Sequence, residues 1–384
     1  MLFCALNAVK GMVINMKKFL KSGLSLMLAG AMCCTFVLSG CGKNDATSSN
    51  VPQTESKSDL GTGDNTIIAK GNGIKISAET FGYYVYQAAM STAMADDPTV
   101  TDLTTVDWEK KMSDGRVMSD VIKENAVNEM IKRAAIVKYG KENDITFTDE
   151  EREQIKSGME QYKTEQGDSL FEKTLKSIGV ETVDDYLGLY ESETVYSKVK
   201  SDFDENREKY IKDEKKMKEY KNDNKVSVQH ILIKNNSTKY EDPKKTIQEV
   251  LERAKGGEDF TQLMKEFNED TGEPDSGYSF CPGEMVAEFE KASFDLEYDE
   301  ISDVVESSYG YHIIKRVVGF AEFENYLIDK WNIKADNDFT SNISVSDILK
   351  DIADANNALM AAQTEAKTQS GEENNAQDGG KANG

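Results

Sequence analysis

The only two histidines of the chain, His230 and His312, stand near opposite ends of a segment about the size of a small domain. Each is embedded in a run of strand character. Val226-Ser227-Val228-Gln229-His230-Ile231-Leu232-Ile233-Lys234 opens the segment, and Tyr309-Gly310-Tyr311-His312-Ile313-Ile314-Lys315-Arg316-Val317 closes it. Random placement would seldom give both imidazoles such matching settings. The runs bound a module over 226–318, and the rest of the chain is read by how it flanks that module.

The length of 384 residues allows two or three domains, and 38% hydrophobic with 30% charged residues suits soluble globular protein with disordered ends. The net charge of −23 becomes −27 for a chain starting at Cys41, because residues 1–40 hold four lysines and no acid. That field argues against nucleic acid as a partner and against broad docking on anionic lipid. Basic or unfolded polypeptide clients are compatible with it, as is solubility alone.

Lys17, Lys18 and Lys21 follow Met16, Leu24 to Val37 is almost wholly apolar or small, and Leu38-Ser39-Gly40-Cys41 comes next. This is the order of a secretory signal peptide over 1–40, with an apolar stretch too short for an ordinary membrane span. Met16 is the expected true start. The tetrapeptide resembles the lipobox of bacterial lipoproteins, which implies cleavage before Cys41 and lipidation of Cys41. Of five cysteines only Cys41 and Cys281 would then remain, so no intrachain disulfide is expected. Two histidines and one free thiol also argue against a structural metal site. From Cys41 to Asn65 the chain is rich in Ser, Thr, Asn, Asp and Gly and reads as a flexible tether, spanning on the order of 25–30 Å.

Residues 66–222 read as a mainly helical segment. Thr66 to Ile76 suits a hairpin with Gly71-Asn72-Gly73 in the turn. Ser77 is a candidate N-cap for a helix through Phe81, Tyr84, Val85 and Ala88. Val117, Val121, Ile122, Met130 and Ile131 mark a second helix, with Gly140 where a terminating glycine would stand. Thr148-Asp149-Glu150-Glu151 has the capping-box pattern. A long helix is expected from Val183 past Tyr210, followed by a charged, solvated connector over 212–224. The aromatic and methionine positions suit core packing, or else an adaptable groove for unfolded chains.

Inside the module, Pro243 suits the first turn of a helix whose buried face is Ile247, Val250, Leu251 and Ala254. Phe260, Leu263, Met264 and Phe267 mark a second. Asn268 to Gly277 is a turn-rich acidic loop. Tyr278 to Phe280 is a brief strand, Met285 to Phe294 a third helix, and Ile301–Val305 and Tyr311–Val318 the last strands.

These motifs, His-Ile-Leu at 230, Gly-Glu-Met at 283 with Glu-Phe-Glu-Lys-Ala-Ser-Phe at 288, Ile-Ser-Asp-Val-Val at 301 and Tyr-Gly-Tyr-His-Ile-Ile at 309, resemble the signature series of parvulin-type peptidyl-prolyl cis/trans isomerases. The resemblance covers 226–318. It implies a four-stranded antiparallel sheet with surrounding helices and the isomerisation of Xaa-Pro bonds without a cofactor. It further implies that His230 and His312 pair across central strands, that Met285 and Phe289 line a proline pocket with Phe280 beside them, and that Asp270, Ser307 and Tyr309 complete the polar network. The chain departs from the family pattern at Asp275–Phe280, where the usual pocket leucine falls on Gly277.

After the module, Phe320–Ile333 and Val345–Met360 can each form a helix, and 361–384, without a large apolar residue, is expected to be disordered. Two helices are a poor domain alone, so residues 320–360 should pack on 66–222. The expected fold is therefore α+β, a parvulin domain inserted in a mainly helical, discontinuous chaperone-like domain. The order of parts resembles PrsA-like foldase lipoproteins. That resemblance implies exported, unfolded proteins containing Xaa-Pro as partners and a lipid anchor on the outer face of the bacterial cytoplasmic membrane. It also implies a homodimer as one assembly the helical domain allows. The alternative is a holdase whose parvulin module turns over little.

Overall fold

A computed structural model describes residues 66–221, 224–341 and 343–378. The expected leader, the tether over 41–65 and Cys41 lie outside the described residues.

The first elements form locally. Strands β1 (Ile67–Gly71) and β2 (Ile74–Ser77) are the antiparallel arms of a hairpin, with Gly73 at φ 75° in its turn. Helix α1 (Phe81–Asp96) begins later than expected, because Ser77 still belongs to β2. Helix α2 (Met118–Glu142) runs through Gly140 instead of ending there. That glycine serves contact: a Cβ on it would lie 2.4 Å from the Ile145 carbonyl and 2.7 Å from Val195. Helix α3 (Asp149–Gln166) starts with the Thr148–Glu151 capping box that the sequence announces. Helix α4 (Asp168–Lys176) is followed by α5 (Val183–Tyr210), which is kinked at the non-helical Asn206.

The isomerase-like module comes next. Strand β3 (Val226–Lys234) is followed by helices α6 (Pro243–Lys255) and α7 (Phe260–Phe267), strand β4 (Tyr278–Phe280) and helix α8 (Ala287–Asp295). Strands β5 (Val305–Glu306) and β6 (Gly310–Arg316) close it. The sheet order is β4-β3-β6-β5 and every pairing is antiparallel. The chain then returns through α9 (Phe320–Lys330), strand β7 (Lys334–Ala335) and α10 (Val345–Asp378). Helix α10 continues to Asp378, past Ala361, where composition predicts disorder. Its first residues past Met360, Ala-Ala-Gln-Thr-Glu-Ala-Lys, are mostly good helix formers and extend the packed helix before them.

Burial separates the cores. One core draws on Ile68 through Met217 and again on Val318 through Ile352, so the flanking segments build a single helical body across the module. Phe323 on α9 is 1% exposed and lies edge-on to Tyr139 of α2 and Tyr210 of α5. Strand β7 pairs with β1, which adds a C-terminal strand to the N-terminal hairpin. The charged connector is not free in solvent. Met217 is 1% exposed in the helical core, and Lys218 and Lys221 pair with Asp299 and Glu297 of the module. Within the body, Arg133 is buried against Glu193 at 3.0 Å and over the Tyr196 ring, and Tyr84 donates to the same carboxylate. A buried charge is tolerable only when paired in this way.

The module has a core on each face of its sheet. Ile231, Ile233 and Ile313 pack with α6 and α7, whereas Val226, Val228 and Ile314 pack with Phe280, Phe289 and Leu296. The period of two along a strand forces this division and sends His230 and His312 to the second face.

If α9 is part of the helical core, Phe323→Ala should cost about 3–5 kcal/mol of stability. Urea denaturation followed through the helical signal would show it. An unchanged midpoint would mean that α9 only rests on the surface.

Candidate active site

Strand β3 brings the two histidines together. Its residues 228–234 pair with 310–316 of β6, so that His230 opposes Ile314 and Leu232 opposes His312. The imidazoles are therefore diagonal neighbours on one face, with ring centres 5.5 Å apart. His230 is 2% exposed and His312 4%. Phe289 of α8 stands edge-on to both, at 5.1 Å from His230 and 5.3 Å from His312.

The other edge of β3 determines the rest of the site. Strand β4 pairs only with Val226, Ser227 and Val228. Beyond it, the outward N–H groups at 230, 232 and 234 would lack acceptors. Side chains of the acidic loop supply them. His230 N donates to Glu273 Oε1 (2.9 Å), Leu232 N to Asn268 Oδ1 (2.9 Å) and Lys234 N to Glu269 Oε2 (2.8 Å). Glu269 N returns a bond to the Leu232 carbonyl. The loop is thus a surrogate strand made partly of side chains.

Glu273 is the deepest member, its side chain wholly buried. Its Oε2 accepts from Asn268 Nδ2 at 2.7 Å and lies 3.1 Å from His230 Nδ1. That last contact is close but poorly aligned for a hydrogen bond. Burial pushes the Glu273 carboxyl up from its ordinary value, and His230 partly offsets this. Asp270 lies on the solvent side, 3.7 Å from His230 Nε2. It accepts from the Tyr278 hydroxyl at 3.1 Å, and the Tyr278 ring stacks on His230 at 5.7 Å. Burial and the Asp270 carboxylate together raise the Tyr278 phenol well above its ordinary range, so it remains a donor.

His312 Nε2 is 2.7 Å from Ser307 Oγ, which also accepts from Tyr309 N. The imidazole tautomer decides whether Nε2–H or the serine hydroxyl donates in this contact. Burial first and the neighbouring His230 second lower the His312 pKa to about 4, so the ring is neutral at neutral pH.

The candidates divide accordingly. His230, Asp270, His312 and Ser307 come together, with Phe289 over both rings. Tyr309 does not join them: the residue is 61% exposed, and its backbone N–H donates to Ser307. Tyr278 takes the phenol position instead, because β4 carries it over His230. Phe280 is 1% exposed and backs Phe289 at 5.8 Å, so it supports the apolar surface from below instead of lining it. Met285 is half-buried in the turn before α8, not on that helix with Phe289. Gly277, at φ 82°, abuts β3, where a Cβ would lie 2.1 Å from the Val228 carbonyl. No side chain fits there in this register. Glu273 and Asn268 are hidden in the sequence because an acidic, turn-rich loop looks solvated, and Tyr278 because a three-residue strand does not announce its partner. The alternating, otherwise unpaired N–H groups of a strand edge were the available clue.

Among the described residues no group of three or more His, Cys, Asp or Glu side chains could hold a metal ion, and no helix is long and apolar enough to cross a membrane.

The family model of the PPIC-type peptidyl-prolyl isomerase domain matches residues 211–318, and the module is a peptidyl-prolyl isomerase of the parvulin type. Among relatives, Foldase protein PrsA 3 of Bacillus anthracis is 32% identical over 231 residues, covering 59% of this chain and 71% of its own. Foldase protein PrsA of Caldanaerobacter subterraneus subsp. tengcongensis is 31% identical over 264 residues, covering 68% and 75%. The chain belongs to the PrsA foldase family. A crystal structure of a peptidylprolyl isomerase (PrsA) from Bacillus cereus aligns at 28% identity over 66% of this chain and 98% of that one, with a TM-score of 0.22, too low to carry its arrangement across.

The low His312 pKa fixes a pH dependence. The unfolded ring, near 6.5, takes a proton before the folded one at about 4. Stability from this group is therefore whole above about pH 6.5 and is lost as pH falls towards 4, by on the order of 2–3 kcal/mol. His312→Gln should be less acid-sensitive than its parent by that amount in urea titrations from pH 7 to pH 4. Parallel acid limbs would contradict the neutral, buried imidazole.

Proposed function

We propose that the chain is an exported foldase that catalyses Xaa-Pro isomerisation in unfolded proteins by non-covalent stabilisation of the twisted amide. The barrier is about 18–20 kcal/mol because rotation destroys amide resonance. An enzyme lowers it by binding the twisted, less conjugated form more tightly than either planar isomer. The observation that carries the reading is the Phe289 ring set edge-on to both buried imidazoles, with Asp270 at the solvent side of His230. In this reading Met285 and Phe289 grip the proline ring and Phe280 holds Phe289 in place. His230 and the neutral His312 order the polar floor with Asp270 and Ser307. The histidines brace the site and need not transfer a proton.

Export is supported by the basic, apolar and Leu38-Ser39-Gly40-Cys41 succession. The same tetrapeptide favours lipidation at Cys41 and tethering to the outer face of the bacterial cytoplasmic membrane. Exported chains still unfolded and containing Xaa-Pro are the partners this placement would supply, and a homodimer built on the helical body is compatible with it. A holdase with little turnover is favoured by one observation: Gly277 offers no pocket wall.

The test is isomerisation of a short Xaa-Pro peptide by the purified chain. Met285→Ala and Phe289→Ala should each lower kcat/KM by about tenfold or more, corresponding to at least about 1.4 kcal/mol of lost transition-state binding. An active parent with both variants at parental rate would refute the pocket. An inactive parent that still suppresses client aggregation would favour the holdase.

A further inference from the structure

The loop that completes the isomerase site is also held from outside the module. Ser276 is 6% exposed, and its hydroxyl donates to Asp204 Oδ1 at 2.8 Å. Ser276 N also donates to the Asp204 carbonyl at 3.2 Å. Asp204 belongs to α5 of the helical body, 72 residues before Ser276, and Lys200 one turn earlier holds its carboxylate. Two residues later the helix is interrupted at Asn206, with φ −134° and ψ 40°. Past the interruption, Arg207 Nε donates to the Val318 carbonyl, where the chain leaves the module. The kink therefore separates one residue that grips the active-site loop from another that grips the module's exit.

We propose that Asp204 is a positioning residue for isomerisation, acting through Ser276 on the groups around His230. The route is short. Residue 275 gives its carbonyl to Gln229 at 2.7 Å, and Gly277 is pressed against Val228. The chain between those anchors and His230 has little freedom. Tyr278, two residues after Ser276, stacks on His230 and donates to Asp270, and Glu273, three residues before, forks onto His230. A shift of Ser276 is passed to both sides of that imidazole. Misplacement of supporting groups by about 1 Å is enough to cost a substantial share of catalysis. A helical body that only tethered the module would have no reason to bind this loop, since Arg207 at Val318 and the Lys218 and Lys221 ion pairs already dock it.

The proposal rests on the reading of this site as the isomerase centre. Its test uses the full chain and a short Xaa-Pro peptide. Asp204→Ala should lower kcat/KM about threefold to tenfold and shift the His230 imidazole resonances, with little change in the unfolding midpoint. Asp204→Asn keeps an oxygen acceptor for Ser276 and should stay within about twofold of the parent. Ser276→Ala should reproduce the loss from the other side, and the double variant should be no worse than either single one. Asp204→Ala at parental rate, Asp204→Asn as damaging as Asp204→Ala, or additive single losses would each overturn the proposal. If Asp204→Ala does not fold, an active Ser276→Ala chain at parental rate overturns it equally. An inactive parent chain overturns both the proposal and the isomerase reading, whereas an active parent with unaffected variants removes only the positioning role.

Discussion

The edge of β3 beyond Val228 is the constraint on which the site depends. A central strand buried on both faces cannot leave alternate N–H groups without acceptors, since each would cost roughly 1–3 kcal/mol. Strand β4 stops too early to supply them. Glu273, Asn268 and Glu269 do so instead, and in reaching the strand they fold the loop back over it. Asp270 and Tyr278 are carried into place beside His230 as a result. The same bonds that satisfy the backbone also gather the polar groups around His230, and they bury Glu273, which pushes its carboxyl pKa up.

The junction between module and helical body is similarly economical. Entry and exit strands meet where Gly319 faces Ser227: a Cβ there would lie 2.0 Å from the Ser227 hydroxyl. Ser227 accepts from Val317 N through its carbonyl and shares a hydroxyl contact with Ser279. Buried Glu322 takes the Gly319 N–H and the Tyr298 hydroxyl, which fastens α9 to the module it follows. Arg316 lies over Tyr298 and donates to the Leu296 carbonyl. The inserted module is thus continuous with its host through buried polar contacts, and α5 reaches both its exit and its acidic loop.

Much of this was legible in the sequence because it is local or periodic. Alternation placed both histidines in strands, the capping box at Thr148 marked a helix start, and the motif series identified the module. The misreadings have specific causes. Gly140 looks like a stop signal but is a contact between α2 and Val195. Tyr309 is near His312 in sequence, yet the tight turn at Gly310 leaves its ring outside. The connector after Tyr210 is densely charged, but one apolar residue, Met217, anchors it in the core.

The sequence by itself determined the main helices of the body, the two histidine strands and the faces they bury, and that an isomerase module interrupts a helical body. Those properties follow from periodicity, capping and motif order, all of which act over a few residues or a recognisable series. Only the tertiary structure decided that Tyr278 and not Tyr309 stands beside the histidine pair, that Phe280 lies behind Phe289, and that Asp204 reaches the acidic loop. The physical reason is common to all three. A side chain's role in a site depends on which distant backbone group or ring lacks a partner, and that need arises only once the strands and helices have packed.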